Sequence, residues 1–175
     1  SALFPFHFWL PGAMAAPTPV SAYLHAAAMV KAGVYLVALL APIFAGVAGW
    51  HEILLGLGLA TMLLGAWRAL RQYDIKLLLA YGTVSQLGFL VVLFGAGIPE
   101  ATAAGCALLI AHALFKAALF MAVGTIDRHF GTRDLRRIPA LGRGWRGFTA
   151  VTVAAAASMA GVPLLFGFIG KEAGF

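Results

Sequence analysis

Apolar runs of about 20 residues alternate with short polar connections along most of this chain. The runs cover approximately residues 20–41, 52–70, 75–96, 100–126 and 148–172. Because about 20 apolar residues in an α-helix cross the hydrocarbon core of a bilayer, each run predicts a membrane-spanning helix. The pattern predicts an all-α polytopic membrane helix bundle in which residues 1–175 form a single transmembrane domain. In the second run, small residues are expected to mark close helix packing: Gly56, Gly58 and Gly65.

Two apolar segments contain prolines that a regular helix does not accommodate, since an interior proline removes a backbone hydrogen bond and kinks the chain. The first is the opening segment 1–19, and the second is the end of the fifth run. Half-helices broken at Pro5 and Pro163 are therefore predicted. The two breaks share a spacing on three residues, Ala2-x-x-Pro5-x-x-Phe8 and Ala160-x-x-Pro163-x-x-Phe166, as duplicated halves would. Transporters place ion sites at such breaks.

Composition and charge placement support a membrane setting. Hydrophobic residues make up 62% of the chain and charged residues 10%, with a mean hydropathy of +0.95, against about 25% charged residues in a soluble domain. The net charge of +6 does not indicate nucleic-acid binding, because most of the basic residues lie in two connections, around 68–76 and 128–146. The two alternate connections, around 42–51 and 98–100, lack Lys and Arg. The positive-inside rule therefore places both basic connections on the cytoplasmic side of a cell membrane.

Cysteine usage and the chain ends exclude several other classes of site. Cys106 is the only cysteine, so an internal disulfide, a zinc knuckle and an iron–sulfur motif are excluded, and a small residue at a helix–helix contact is expected. No cofactor and no metal site are expected. The sequence opens at SALFPF without a signal-like leader, so we interpret the chain as an internal piece of a longer membrane protein.

The fourth apolar run contains a lysine close to its centre. Lys116 lies one helical turn after His112, so both side chains face the same neighbour. A lysine at a bilayer centre costs about 2.5–3.5 kcal/mol on insertion scales, and such residues usually mark ion or proton pathways. Repulsion disfavours charging both groups at once, so a proton that arrives at one would displace a proton from the other. A snorkelling lysine beside a packed histidine is the structural alternative.

Other ionisable residues interrupt the remaining spans. Lys31 lies near the middle of the first span, with Tyr35 one turn onward and within predicted hydrogen-bonding reach. His25 shares that helix about 120° away and could equally be a core histidine bonded to a hydroxyl. Lys171 and Glu172 follow the break at Pro163, where a simple helix-end lysine is the alternative for Lys171. Asp74 and Lys76 flank the third span, where a solvated connection is the alternative. The other histidines are expected at the membrane interface, and a haem between His25 and His112 has no further support.

Four segments together resemble the antiporter-like membrane subunits shared by respiratory complex I and Mrp-type cation/proton antiporters. They are FPFHFWLPGAMAAPTPVSAYLHAAAMVKAGVYL (4–36), YDIKLLLAYGTVSQLG (73–88), HALFKAALFMAVG (112–124) and GFIGKE (167–172). Within this superfamily, the segment IDRHFGTRDLRRI (126–138) resembles the large subunit of the Mrp sodium/proton antiporter more than it resembles the other members.

The resemblance implies a polar axis of lysines and histidines in the membrane plane that joins proton half-channels at two broken helices. By motif, the axis residues are Lys31, His25, Lys76, His112, Lys116 and Lys171. The family often has a histidine where this chain has Leu108, which leaves one step of the relay to water. The implied partners are other membrane subunits, the lipid bilayer, protons and sodium.

The sequence therefore predicts a proton-translocating membrane subunit that exchanges protons for sodium, and not an enzyme. A proton-pumping subunit of complex I, an NADH:quinone oxidoreductase, or of a membrane-bound hydrogenase is the first alternative. A membrane scaffold whose buried lysines are held in ion pairs is the second.

Overall fold

The computed structural model describes residues 2–26, 29–163 and 167–168, and within these ranges it is helical with no β-strand. The α-helices are α1 (Trp9–Gly12), α2 (Thr18–Ala26), α3 (Met29–Phe44), α4 (Trp50–Leu70), α5 (Ile75–Gly95), α6 (Pro99–Phe130) and α7 (Arg146–Ala160). Short 3-10 turns occupy Phe6–Phe8, Ala13–Ala15 and Arg143–Trp145. The predicted all-α membrane fold is confirmed.

Four stretches are long and apolar enough to cross a membrane: Thr18–Phe44, Trp50–Leu70, Ile75–Gly95 and Pro99–Phe130. They correspond to the first four predicted spans, with two differences at the boundaries. Pro42 lies inside α3, not in the following connection, and α6 continues one turn beyond Ile126 to Phe130, where Gly131 ends it in the left-handed conformation. The helix thus carries the polar residues Asp127 and Arg128 in its last turn.

The segments predicted to be broken are irregular in the described residues. Between Pro5 and Ala16, short 3-10 and α-helical turns follow one another, and Ala16 is extended, with ψ of 156°. At the other end of the chain, α7 ends at Ala160 and Gly161 takes φ of 85°, just before Pro163. The 15 residues of α7 are the described part of the fifth predicted span; residues 164–166 and 169–175 lie outside the description.

Helices α4 and α5 pack with their backbones in close contact through glycine. A Cβ added at Gly65 would stand 2.5 Å from the backbone nitrogen of Ser85, and one added at Gly88 would stand 2.5 Å from that of Met62. Gly58 is similarly tight against Val92 and the carbonyl of Gly88, so the packing roles predicted for Gly58 and Gly65 are confirmed. The close packing predicted for Gly56 does not occur among the described residues, where a Cβ at that glycine would have no atom within 4 Å.

The two basic connections lie at the same end of the bundle and are hydrogen-bonded to each other. The amide of Ile75 donates to the carbonyl of Arg133 at 3.0 Å, and the amide of Leu135 donates to the carbonyl of Tyr73 at 2.9 Å. At the opposite end, the ring of His51 bridges the two connections without Lys or Arg. Its Nδ1 lies 2.7 Å from the carbonyl oxygen of Gly95, and its Nε2 lies 3.3 Å from that of Ala45. This arrangement agrees with spans that alternate in direction.

Candidate functional site

Polar side chains occupy a layer between two apolar clusters. One cluster joins Val30 and Val34 of α3 to the second half of α5 and Leu108 of α6. The other joins Ala22 of α2 to the first half of α5 and residues 111–123 of α6. Five buried polar residues fall on these helices where one cluster gives way to the other: His25, Lys31, Thr83, His112 and Lys116.

Lys116 is fully buried, at 0% exposure, near the middle of α6. Its ammonium donates a hydrogen bond of 2.9 Å to the carbonyl oxygen of Leu79 on α5, and the hydroxyl of Thr83 donates to that same oxygen at 2.9 Å. Gly82 leaves the space for the ammonium, since a Cβ there would stand 3.2 Å from Nζ. Among the described residues, no carboxylate forms an ion pair with Lys116.

The other two described lysines of the predicted axis also use backbone carbonyls. Lys31, 6% exposed, donates to the carbonyl of Leu109 on α6 at 3.2 Å. Lys76, 2% exposed, donates to the carbonyl of Ala16 at 2.6 Å. Because Ala16 is extended ahead of Pro17, its carbonyl is free to point toward α5. Each ammonium thus joins two segments of the bundle through a neutral acceptor, which partly offsets the cost of burying the charge.

Two buried histidines lie among these lysines. The ring of His25 packs against Phe120 with centroids 4.7 Å apart, and that of His112 packs edge-on against Phe115 at 5.4 Å. Both imidazoles are fully buried, and neither ring nitrogen of either histidine has a hydrogen-bond partner among the described residues. Such polar atoms normally find a protein or water partner, so these four nitrogens can take part in proton transfer.

The two histidines and the lysines meet along α6. The ring of His25 packs against Phe120, one turn after Lys116, and His112 lies one turn before Lys116. Lys31 reaches the carbonyl of Leu109, about one turn before His112. A proton can be held at every one of these positions, and neutral imidazole both donates and accepts. The arrangement has the chemistry of a proton relay.

Comparison with known proteins identifies the family. The family model described as NADH:quinone oxidoreductase/Mrp antiporter, TM, matches residues 1–174. The chain belongs to this family. The resemblance drawn from the four sequence segments is thereby confirmed, and the membrane setting follows from the family together with the four apolar stretches.

Relatives of this antiporter-family chain carry the names of antiporter components. A relative from Rhizobium meliloti (strain 1021), named as part of a probable K(+)/H(+) antiporter, is 54% identical over 172 residues, 98% of this chain and 17% of the relative. A relative from Alkalihalophilus pseudofirmus, named as part of an Na(+)/H(+) antiporter, is 49% identical over 186 residues, 98% of this chain and 23% of the relative. A chain in the structure of the Mrp complex from Dietzia sp. DQ12-45-1b matches with a TM-score of 0.93 at 52% identity, over 99% of this chain and 19% of that one. The antiporter-family chain thus spans about a fifth of the length of these relatives.

The structure of this antiporter-family chain differs from sequence expectation around Lys31 and Cys106. Tyr35 is 66% exposed and makes no hydrogen bond to Lys31 among the described residues, because the boundary of the buried face of α3 falls between these two positions. The hydrogen bond predicted between them is wrong. Cys106 is exposed, so it is not at a helix–helix contact within the described chain. Leu108 is fully buried in the first apolar cluster.

Two predicted site residues, Lys171 and Glu172, lie outside the described residues. Asp74, predicted as a supporting residue, caps α5: its carboxylate accepts from the amides of Lys76 at 2.8 Å and Leu77 at 3.2 Å. Three residues beside the lysines are not predicted from sequence. Gly82 adjoins the ammonium of Lys116, Thr83 shares its acceptor, and Asp127 lines the cleft that reaches Lys76. Nothing in the sequence distinguishes Gly82 from other helical glycines, because its role depends on where Lys116 reaches α5. Asp127 is an acidic residue at the end of an apolar helix and is recognisable from the sequence.

Proposed function

We propose that this chain is the proton-conducting section of an Mrp-type cation/proton antiporter, which exchanges protons for sodium. The observation that carries the proposal is the burial of three lysines and two histidines on four helices of one bundle: Lys31, Lys76, Lys116, His25 and His112. The antiporter names of relatives that match almost the whole chain support it.

In the proposed mechanism, lysines hold protons and histidines pass them. Lys116 would release a proton toward His112 or His25, whose ring nitrogens have no hydrogen-bond partner among the described residues. Transfer along the axis would proceed through water and small side-chain movements, since the lysine heads are tied to carbonyls in different segments of the chain. Lys171, which lies outside the described residues, belongs to the proposed axis by its sequence motif alone.

The scaffold alternative predicts ion pairs that hold the buried lysines. The described residues provide none for Lys116 or Lys76, whose acceptors are the carbonyls of Leu79 and Ala16. A buried lysine without a carboxylate partner contributes little to folding stability, because an apolar residue of similar size would fill the same space without the cost of desolvating a charge. This favours transport over a purely structural role.

We propose that the two basic connections lie on the cytoplasmic side of the cell membrane. Their arginines and their contact at one end of the bundle support this orientation. The partners would be the other membrane subunits of a hetero-oligomer. Large apolar side chains exposed on α3, α4 and α6, such as Leu39, Leu63 and Ile110, suit contact with lipid and with such subunits.

The test replaces Lys116 with methionine, which has a similar length and no charge, in the native protein that contains this chain, assembled with its partner subunits. Cation-driven proton movement would be followed in vesicles with a pH-sensitive dye, with the amount of assembled protein as a check. We expect Lys116→Met to abolish exchange. Arg71→Ala is the matched control, because it removes an exposed positive charge outside the axis that lies over Trp67. Normal exchange in assembled Lys116→Met would exclude the relay.

A further inference from the structure

Two clefts open at the basic end of the bundle, and Asp127 lies in the wall of both. The first, of about 730 Å³, also has Thr18, Arg128 and Trp145 in its lining, and the second, of about 740 Å³, reaches Lys76. Asp127 belongs to the last turn of α6, where it is only half-buried. The second cleft thus brings Asp127 and Lys76, a buried lysine of the polar axis, to one opening of the bundle.

Three carboxylates line the second cleft, and two of them have structural partners. Asp74 accepts the first amides of α5 and lies 3.5 Å from the Nε of Arg133. Asp134 receives two hydrogen bonds from the guanidinium of Arg136, at 3.0 and 2.8 Å. The carboxylate of Asp127 has neither an ion pair nor a hydrogen bond among the described residues.

Lys76 provides the second half of the argument. Its ammonium is 2% exposed and makes one hydrogen bond among the described residues, to Ala16, so two of its three N–H donors remain available. Asp127 and Lys76 both line the second cleft. A cleft of several hundred cubic ångströms is wide enough for water to join the two groups.

We propose that Asp127 is the proton-loading carboxylate of the axis, which takes protons from the basic surface and passes them to Lys76. The inference rests on the proposed function and adds to it the entrance by which protons reach the relay. In the transfer, the O–H bond of the protonated carboxyl breaks, an N–H bond forms on neutral Lys76 through water in the cleft, and Asp127 regains its proton from bulk solvent.

The charged surroundings of Asp127 are mixed in sign. Its own helix contributes Arg128 and His129. Across the second cleft, α5 contributes Lys76 with its capping residue Asp74, and the connection after α6 contributes Arg133, Asp134 and Arg136. Asp74 and Asp134 are held by hydrogen bonds and by arginines. Replacing the carboxylate of Asp127 therefore breaks no described contact, and we expect its effect to be on proton delivery.

The test compares Asp127→Asn with Asp134→Asn in the native, fully assembled protein, measuring exchange rates in vesicles from mildly acidic to alkaline pH. Because protons are scarce at alkaline pH, we expect Asp127→Asn to slow exchange there by about tenfold or more, and less at acidic pH. Added imidazole, a small proton carrier that fits the cleft, should restore the rate. Asp127→Glu should keep most of it, and Asp134→Asn should behave as wild type.

Two results would overturn the inference: a wild-type pH profile for Asp127→Asn, or a loss that is equal at every pH and unaffected by imidazole. Should Asp127→Asn fail to assemble, Asp127→Ser serves with the same measurements. The Lys116→Met variant separates the two proposals. If it is inactive while Asp127→Asn is normal, only the loading role fails; if it exchanges normally, the proposed function fails and the loading role with it.

Discussion

Gly82→Ala alters the surroundings of Lys116 by a single methyl group. The added Cβ would stand 3.2 Å from the Nζ of Lys116, closer than the 3.4–4 Å of ordinary contact. The ammonium would have to move by a few tenths of an ångström, away from its 2.9 Å hydrogen bond to Leu79. Because the end of a lysine is flexible, α5 itself would stay in place, and the change would be confined to the position of the charge.

The expected effects on stability and on transport differ. Alanine in place of glycine inside a helix gains about 0.8–1 kcal/mol, which offsets much of the weakened contact. A hydrogen bond to a charged group contributes about 1.5–3 kcal/mol. If displacement removes about 1–2 kcal/mol of the interaction that positions the ammonium, exchange slows about 5- to 30-fold. Thermal stability should therefore change little while exchange falls.

The assay is cation-driven proton movement in vesicles, normalised to assembled protein, together with thermal unfolding in detergent. Gly56→Ala is the matched control, since it makes the same substitution in a neighbouring helix with no atom within 4 Å of the new methyl. It should gain helix stability and exchange at the wild-type rate. A wild-type rate in assembled Gly82→Ala would refute the positioning of Lys116 by Gly82 and Leu79.

Three further outcomes follow from the geometry. Gly65→Ala should lower the unfolding temperature in detergent, because the new Cβ would press on the backbone of Ser85 at 2.5 Å, whereas Gly56→Ala should not. Asp74→Ala should destabilise the protein by about 0.5–2 kcal/mol through loss of the α5 cap, and Asp74→Asn should recover most of this in the same measurement. Hydrogen bonds from Arg136 lower the pKa of Asp134 from 3.8 to about 2, so the stability from this pair is present above about pH 4 and lost as pH falls toward 2. Asp134→Asn should reduce that dependence in acid unfolding at low salt, and an unchanged profile would contradict it.

The helical fold is largely predictable from sequence, because apolar length and charge parity constrain membrane helices strongly. The errors lie where the pattern is degenerate. From apolar length alone, Pro42 is predicted to lie in a connection, but it lies near the end of α3, where a helix tolerates proline. Apolar length also predicts that α6 ends at Ile126, but a polar last turn continues the helix to Phe130. Gly56 and Gly58 look alike in sequence, and only the rotation of α4 against α5 separates them.

The site is predictable in its residue types but not in its contacts. Lys31, Lys116 and His112 are conspicuous as ionisable groups in apolar runs, and all three are buried. Their surroundings are not visible in sequence, because a backbone carbonyl such as the acceptor at Leu79 exists at every residue. Which carbonyl faces a lysine depends on helix rotation and depth, and so does the outward direction of Tyr35.

Lys116→Arg tests the central claim most directly, since it keeps the positive charge and removes the ability to release a proton. The measurement is the rate of cation-driven proton exchange in vesicles that contain the native, fully assembled protein, with Lys116→Met and wild type alongside. The relay predicts that arginine is as inactive as methionine, because charge alone does not carry protons. Exchange by assembled Lys116→Arg near the wild-type rate would contradict it and would show that Lys116 supplies a fixed charge.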